Sequence, residues 1–253
     1  MTDLFSLEGR VAVVTGGAGQ IGSEIVRGLE ERGARVAVFD LAAEQFRVDV
    51  TDSAALEAAM QELVRESGVP HALVNAAALD SPPDAPAEEV GAFESYPEHS
   101  FDEVMAVNVK GTFLPCQVVG GAMAAAGRGS IINISSIYGM LSPVQDLYEF
   151  RRRGGEEFFK PFAYSVSKSA LYNLTRYLAT YWAKSGVRVN TLTLAGVANE
   201  QPQEFVDAYT ARMPLGRMAD VSEVVGPVVF LASDASSYVT GANVVVDGGW
   251  SAW

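Results

Sequence analysis

At 253 residues the chain is long enough for one large domain with a full core, or for two small ones. Its 49% hydrophobic and 19% charged residues are those of an ordinary soluble globular protein, and a formal charge of −13 argues against nucleic acid or an anionic membrane as partner, since both need a basic footprint. The single cysteine, Cys116, excludes an internal disulfide.

Cys116 reads as a small buried hydrophobe. With no secretory signal at the N-terminus and no apolar run long enough to span a bilayer, a cytoplasmic protein is expected. The histidines and the cysteine are too scattered for a metal site, and no metal is expected.

In chain order, the apolar run RVAVVTG predicts a strand over 10–16, followed by a helix over 21–33 and a second strand over 34–40. A helical pattern at 53–67 precedes a strand at 72–78. The Pro-rich stretch 80–89 reads as a surface loop, and a helix follows at 100–126. A strand at 130–136, a helix at 163–185, a strand at 187–194, a helix at 220–233 and a strand at 242–249 complete the pattern. Strands this apolar, alternating with helices, predict a parallel sheet covered on both faces. No linker divides the chain. The expected fold is one α/β domain over 1–253, a Rossmann-type doubly wound sheet in three layers.

The turn after the first strand is rich in glycine and opens the first helix. Such a turn lets backbone N–H groups approach a pyrophosphate, which then rests on the helix N-terminus. Asp40 ends the second strand 18 residues after Gly22, where a carboxylate accepts hydrogen bonds from ribose hydroxyls and repels a 2′-phosphate. Leu41, Ala42 and Ala43 follow it and offer no cation. NAD, rather than NADP, is the expected cofactor. Further on, Tyr164 and Lys168 stand four apart, so on a helix they share a face. A neighbouring ammonium lowers a phenol from its ordinary pKa of about 10, which would make the pair an acid/base unit.

On these motifs the chain resembles the short-chain dehydrogenase/reductase family over essentially its whole length. The family's opening Thr-Gly-x-x-x-Gly-x-Gly corresponds to Thr15, Gly16, Gly19, Gln20, Ile21 and Gly22, with Gln20 at the middle glycine and Gly19 expected to supply the lost flexibility. The Asn-Asn-Ala-Gly element appears as Asn75-Ala76-Ala77-Ala78. Asn108, Ser136, Tyr164 and Lys168 match the four catalytic positions. The resemblance implies that Asp49 and Val50 contact the adenine and that Val197 holds the nicotinamide carboxamide, with Asn75 and Ala76 also at the cofactor. It implies a proton transferred by Tyr164, a reacting oxygen held by Ser136, a ribose held by Lys168, and a relay water positioned by Asn108. It also implies a homotetramer, with the helix over 170–183 in the contact. Asp40 and Asp49 are so close that the usual helix between the second and third strands must be missing or reduced to a turn.

Ser136 and Tyr164 are 28 residues apart, where close family matches have about a dozen. The extra segment, about 140–161, enters beside the reacting atoms and is expected to cover the substrate. Gln145, Tyr148, Arg151 and Arg152 are its candidate substrate contacts. They suit a sugar, sugar acid or polyol; the rival is a hydrophobic ketone or a 3-oxoacyl thioester. Trp250 and Trp253 would stack on a sugar or fill a subunit interface. Competing classes are a non-catalytic dinucleotide sensor, which the complete set of four disfavours, and a sugar epimerase or dehydratase, which usually needs a larger C-terminal region.

Overall fold

The sheet has seven parallel strands, and a computed structural model describes residues 3–80 and 87–253. The strands are β1 (Val11–Thr15), β2 (Arg35–Asp40), β3 (Phe46–Arg47), β4 (Ala72–Asn75), β5 (Gly129–Ser136), β6 (Val187–Leu194) and β7 (Asn243–Val246). Their order is β3-β2-β1-β4-β5-β6-β7. β1 pairs with both β2 and β4, so the chain reverses its direction of winding there and leaves a crevice at the strands' carboxyl ends. The Pro-rich stretch expected as a loop falls mostly outside the described residues.

The helices are α1 (Gln20–Glu31), α2 (Ser53–Ser67), α3 (98–125), α4 (Phe162–Trp182), α5 (Gln203–Thr210) and α6 (Val225–Ala232). Alternate strand residues divide the core. Val13, Phe39, Leu73 and Ile131 face α2, α3 and α4, through Leu56, Val119 and Leu178 among others. Val14, Val74, Ile132 and Leu192 face α1 and α6, through Ile25, Leu29 and Val228. Between β2 and β3 there is only a turn, as the short Asp40–Asp49 spacing requires.

α3 is interrupted by two π-helical turns, Ala106–Lys110 and Cys116–Gly120, with Pro115 between them. A proline in a helix interior removes a donor and crowds the carbonyl four residues back, and a wider turn relieves such strain. Asn108 lies in the first of these turns. Under α3 and α4 runs a buried polar chain. Asn75 donates to Asn133 at 2.8 Å, Asn133 to Thr175 at 2.9 Å, and Thr191 to Thr175 at 2.8 Å. Cys116 is buried beside it, with its thiol pushed up to about 12 by desolvation.

A third apolar cluster lies beyond the sheet's carboxyl edge. It joins Ile137 and Tyr138 after β5, Leu147, Tyr148 and Phe158 from the long segment, and Tyr209, Met213, Met218 and Trp250. The segment that sets this chain apart is therefore part of the core.

Candidate active site

Gly16 takes φ +67°, a left-handed conformation that side-chain-bearing residues rarely adopt, and a Cβ there would come 2.6 Å from the Ala77 backbone. A Cβ on Gly22 would collide with the Gly16 carbonyl. Gly19 is ordinary extended backbone at φ −77°, so in this turn the left-handed conformation falls on Gly16. Gly19 caps α1 without a side-chain acceptor, and the first turn of that helix carries no acidic residue. Its N–H groups are thus open to an anion. Gln20 donates from its side chain to the Ala198 carbonyl at 2.8 Å, tying this turn to the loop after β6. Ile21 lines the cavity beside it.

The Asp40 carboxylate accepts from the Ala18 and Ala42 N–H groups at 3.1 and 2.9 Å. This fixes its orientation while leaving each oxygen acceptor capacity for a ribose hydroxyl. β3 brings Arg47 into register beside Asp40. That cation is seven residues away in sequence, and the sequence reading missed it. Asp49 is held below the usual carboxylate range by hydrogen bonds from Thr51, and Val50 packs against α3 at Gly111. Asn75 departs from expectation: its side chain belongs to the buried polar chain, and Ala76 is its neighbour on the cavity wall. Val197 lines the cavity, with its carbonyl held by Gln201 at 3.0 Å.

Ser136, Tyr164 and Lys168 share the wall of one cavity of about 710 Å³ with Gln20, Ile21, Ala76 and Val197. Ser136 ends β5, and its Oγ accepts from the Tyr138 N–H at 3.2 Å. Its carbonyl accepts from the Tyr172 hydroxyl, a positioning contact the motifs do not reveal. Lys168, only 4% exposed, donates from Nζ to the Ile134 carbonyl at 3.0 Å, and the Lys168 carbonyl accepts from Ser135 Oγ. Burial lowers the ammonium to a pKa of about 8, and Asp80 partly opposes this. Burial raises the Tyr164 phenol well above its ordinary value; Asp80 adds to the rise and Ser136 opposes it. That reverses the expected direction. Desolvation outweighs the nearby ammonium groups, the Lys160 and Lys168 Nζ atoms lying 5.4 and 5.7 Å from the ring centroid.

The Asn108 side chain donates to the Leu79 carbonyl and the Ser167 hydroxyl, both at 2.9 Å, and accepts from the Leu79 N–H at 2.7 Å. Those bonds fix Leu79 and α4 to one another.

These elements decide the comparison with known proteins. A family model described as enoyl-(acyl carrier protein) reductase matches residues 16–251. A D-threitol dehydrogenase of Mycolicibacterium smegmatis is 34% identical over 98% of this chain and 95% of its own length. The chain belongs to the short-chain dehydrogenase/reductase family. This family member is also 35% identical to a 3-alpha-(or 20-beta)-hydroxysteroid dehydrogenase of Mycobacterium tuberculosis, over 96% of this chain and 90% of that one. A short-chain dehydrogenase from Leptospira borgpetersenii with bound NAD+ superposes with a TM-score of 0.86 at 30% identity, covering 99% and 96% of the two chains. A gluconate 5-dehydrogenase from Burkholderia cenocepacia, in complex with NADP and tartrate, gives 0.82 at 28% identity over 99% and 98%. The protein is an oxidoreductase of secondary alcohols that uses a nicotinamide dinucleotide.

In this short-chain dehydrogenase/reductase the long segment carries the short helix Glu149–Arg153 and returns to α4 through Lys160 and Pro161. Tyr148 and Arg151 line the cavity; Gln145 and Arg152, proposed from sequence as substrate contacts, do not. Arg152 bonds to Glu149 and to the Phe158 and Gln145 carbonyls. The Gln145 amide bonds both the N–H and the carbonyl of Lys160. Both are loop-internal because their partners are neighbours in space that no pattern in the sequence pairs. Arg151 stacks on Phe158 and is paired with Glu156 at 2.7 Å. Tyr138, Phe158, Phe205, Tyr209 and Met218 complete the wall, unforeseen from sequence. Trp250 is buried with its ring 4.5 Å from that of Tyr209, so it neither meets substrate nor fills an interface, whereas Trp253 is exposed.

Replacing Arg152 with Met removes a guanidinium holding three groups of the segment. A loss of about 1–2 kcal/mol is expected, since one partner carboxylate is half in solvent. Thermal melting should fall by about 2–4 °C, and the KM for the alcohol should rise with NAD affinity nearly unchanged. A rise in KM for NAD of the same size would show that the segment does not act on the substrate side.

Proposed function

We propose that this protein is an NAD-dependent dehydrogenase of a small hydroxylated secondary alcohol, of the sugar or polyol type. The observation that carries the reading is the convergence of Ser136, Tyr164 and Lys168 on one cavity wall, beside the open N-terminus of α1. The Gly16 and Gly22 turn, the uncapped helix and the Asp40 carboxylate suit a dinucleotide; Ala76 and Val197 line the cavity beyond them, and this reading assigns Asp49 and Val50 to the adenine. An oxidised nicotinamide held there would supply the acceptor for the hydride of the carbinol carbon. Tyr164 takes the alcohol proton, and Ser136 hydrogen-bonds the reacting oxygen and fixes its distance from the phenol. Lys168 uses one of its three donors on Ile134, leaving two for the nicotinamide ribose and a proton-relay water. Asn108 holds the scaffold on which Leu79 and α4 meet.

A second reading has support of its own. Phe150, Phe158, Phe205, Ile137 and Met218 give the cavity a large apolar surface, suited to a cyclic hydrophobic alcohol. Measuring NADH formation over sugars, sugar acids, polyols and cyclic alcohols separates the two. Preference for an unsubstituted cyclic alcohol would select the second. The reading includes a cytoplasmic homotetramer, supported by Tyr177 and Tyr181, stacked and exposed on the outer face of α4.

Cofactor choice rests on Asp40. Its charge should make kcat/KM with NAD at least about tenfold that with NADP, or about 1.4 kcal/mol. Because Arg47 stands beside it, Asp40→Ser should narrow or reverse the preference by leaving that cation for a 2′-phosphate. Equal efficiencies in the wild type would remove the assignment.

A further inference from the structure

One charged pair in the cavity is used by none of the steps above. Lys160, the last residue of the long segment before Pro161, has a side chain only 9% exposed and reaches across to Asp80 after β4. Its Nζ lies 5.4 Å from the Tyr164 ring centroid, about as near as that of Lys168 at 5.7 Å. Both partners are placed by dedicated contacts. The Gln145 amide grips the Lys160 backbone from both sides, and Arg152 in turn holds Gln145. Asn108 fixes both backbone groups of Leu79, the residue before Asp80.

We propose that the Lys160–Asp80 pair is a polar anchor for a neutral hydroxyl adjacent to the carbinol being oxidised, so that the substrate is a vicinal diol and not a hydroxy acid. The inference rests on the secondary-alcohol reading and sharpens it. An ammonium beside a carboxylate presents a donor and an acceptor together. A hydroxyl answers both, accepting from Lys160 and donating to Asp80, and a carboxylate accepts up to four such bonds. A substrate carboxylate answers only the lysine and is repelled by Asp80. The other cation of the segment that lines the cavity, Arg151, is likewise matched by Glu156. A site built on such directed bonds discriminates strongly against a substrate lacking the partner group.

The test uses the holoenzyme with NAD and three matched probes: cyclohexanol, cis-1,2-cyclohexanediol and 2-hydroxycyclohexanecarboxylate, with 2-butanol, 2,3-butanediol and 3-hydroxybutanoate as an open-chain set. The diol should exceed both companions in kcat/KM by at least about tenfold. In Lys160→Met and in Asp80→Asn the diol-to-monoalcohol ratio should fall to within about threefold, with NADH binding, read by fluorescence, showing that each variant is folded. A wild-type preference for the hydroxy acid, no diol preference, or a ratio that survives both substitutions would overturn the anchor alone. No NADH from any of the six probes, in an enzyme that binds NADH, would overturn the secondary-alcohol reading and the anchor with it.

Discussion

Replacing Tyr164 with phenylalanine is expected to reduce turnover by about a thousandfold or more while NADH binding changes by no more than about threefold. Positioned proton transfer contributes about 10²–10⁴ in rate, and the variant keeps the ring but loses the atom that moves the proton. The structure adds a reason to expect the upper part of that range. The unliganded phenol is held well above its ordinary pKa by burial and is neutral at pH 7, so alcohol oxidation depends on Lys168 and the bound cofactor's positive charge to favour the phenolate that takes the proton. A water molecule standing in for it would occupy the same desolvated wall, without the Ser136 contact that opposes the shift. Stability should barely respond, since among the described residues the Tyr164 hydroxyl bonds across elements only to Ser136. Steady-state rates with any alcohol that the wild type oxidises, together with fluorescence titration by NADH, decide the matter. Activity within tenfold of wild type would remove Tyr164 from the proton-transfer role.

The sheet was legible because its central strands are rich in β-branched residues and buried on both faces, so that they stand out as apolar runs between amphipathic helices. The order of motifs along the chain likewise brought Ser136, Tyr164 and Lys168 to mind together, and the fold places them on one wall. What escaped is tertiary. β3 is two residues long and shows no periodicity, yet it sets Arg47 beside Asp40. The helix Gln203–Thr210 was not anticipated, because only Tyr209 of its eight residues is fully buried; with it went Phe205 and Tyr209 on the cavity wall. Gln145 and Arg152 were legible as polar groups near the site, but composition says nothing about which way they turn. Their partners, backbone atoms and the Glu149 carboxylate, belong to their own loop, and their effect on the cavity passes through Lys160. The sign of the Tyr164 shift was missed for a related reason. A charge is visible in a sequence, whereas desolvation is a property of everything packed around it.

Lys168→Met should be the second large effect, and it should separate activity from stability. Burial depresses the Lys168 ammonium from its ordinary 10.5 to about 8. Between those values the unfolded chain binds more protons than the folded one, so this group makes the protein more stable as pH rises from 8 to 10.5. At pH 7 it is charged in both states, and the full desolvation cost, roughly 3 kcal/mol, is present. Methionine of similar length removes that cost, with the loss of one hydrogen bond to Ile134 as the offset. The melting temperature at pH 7 is therefore expected to be unchanged or higher, while turnover falls by about a hundredfold or more and NAD affinity weakens through the lost ribose contact. The pH profile carries the sharper test. The rise of alcohol oxidation with pH in the wild type follows ionisation of the phenol, which the Lys168 ammonium favours. Without the ammonium, only the phenol remains, and the rise should move to higher pH by more than one unit. A profile that keeps its midpoint in Lys168→Met would remove the lysine from phenol activation, and a loss of turnover with NAD affinity intact would remove it from the ribose.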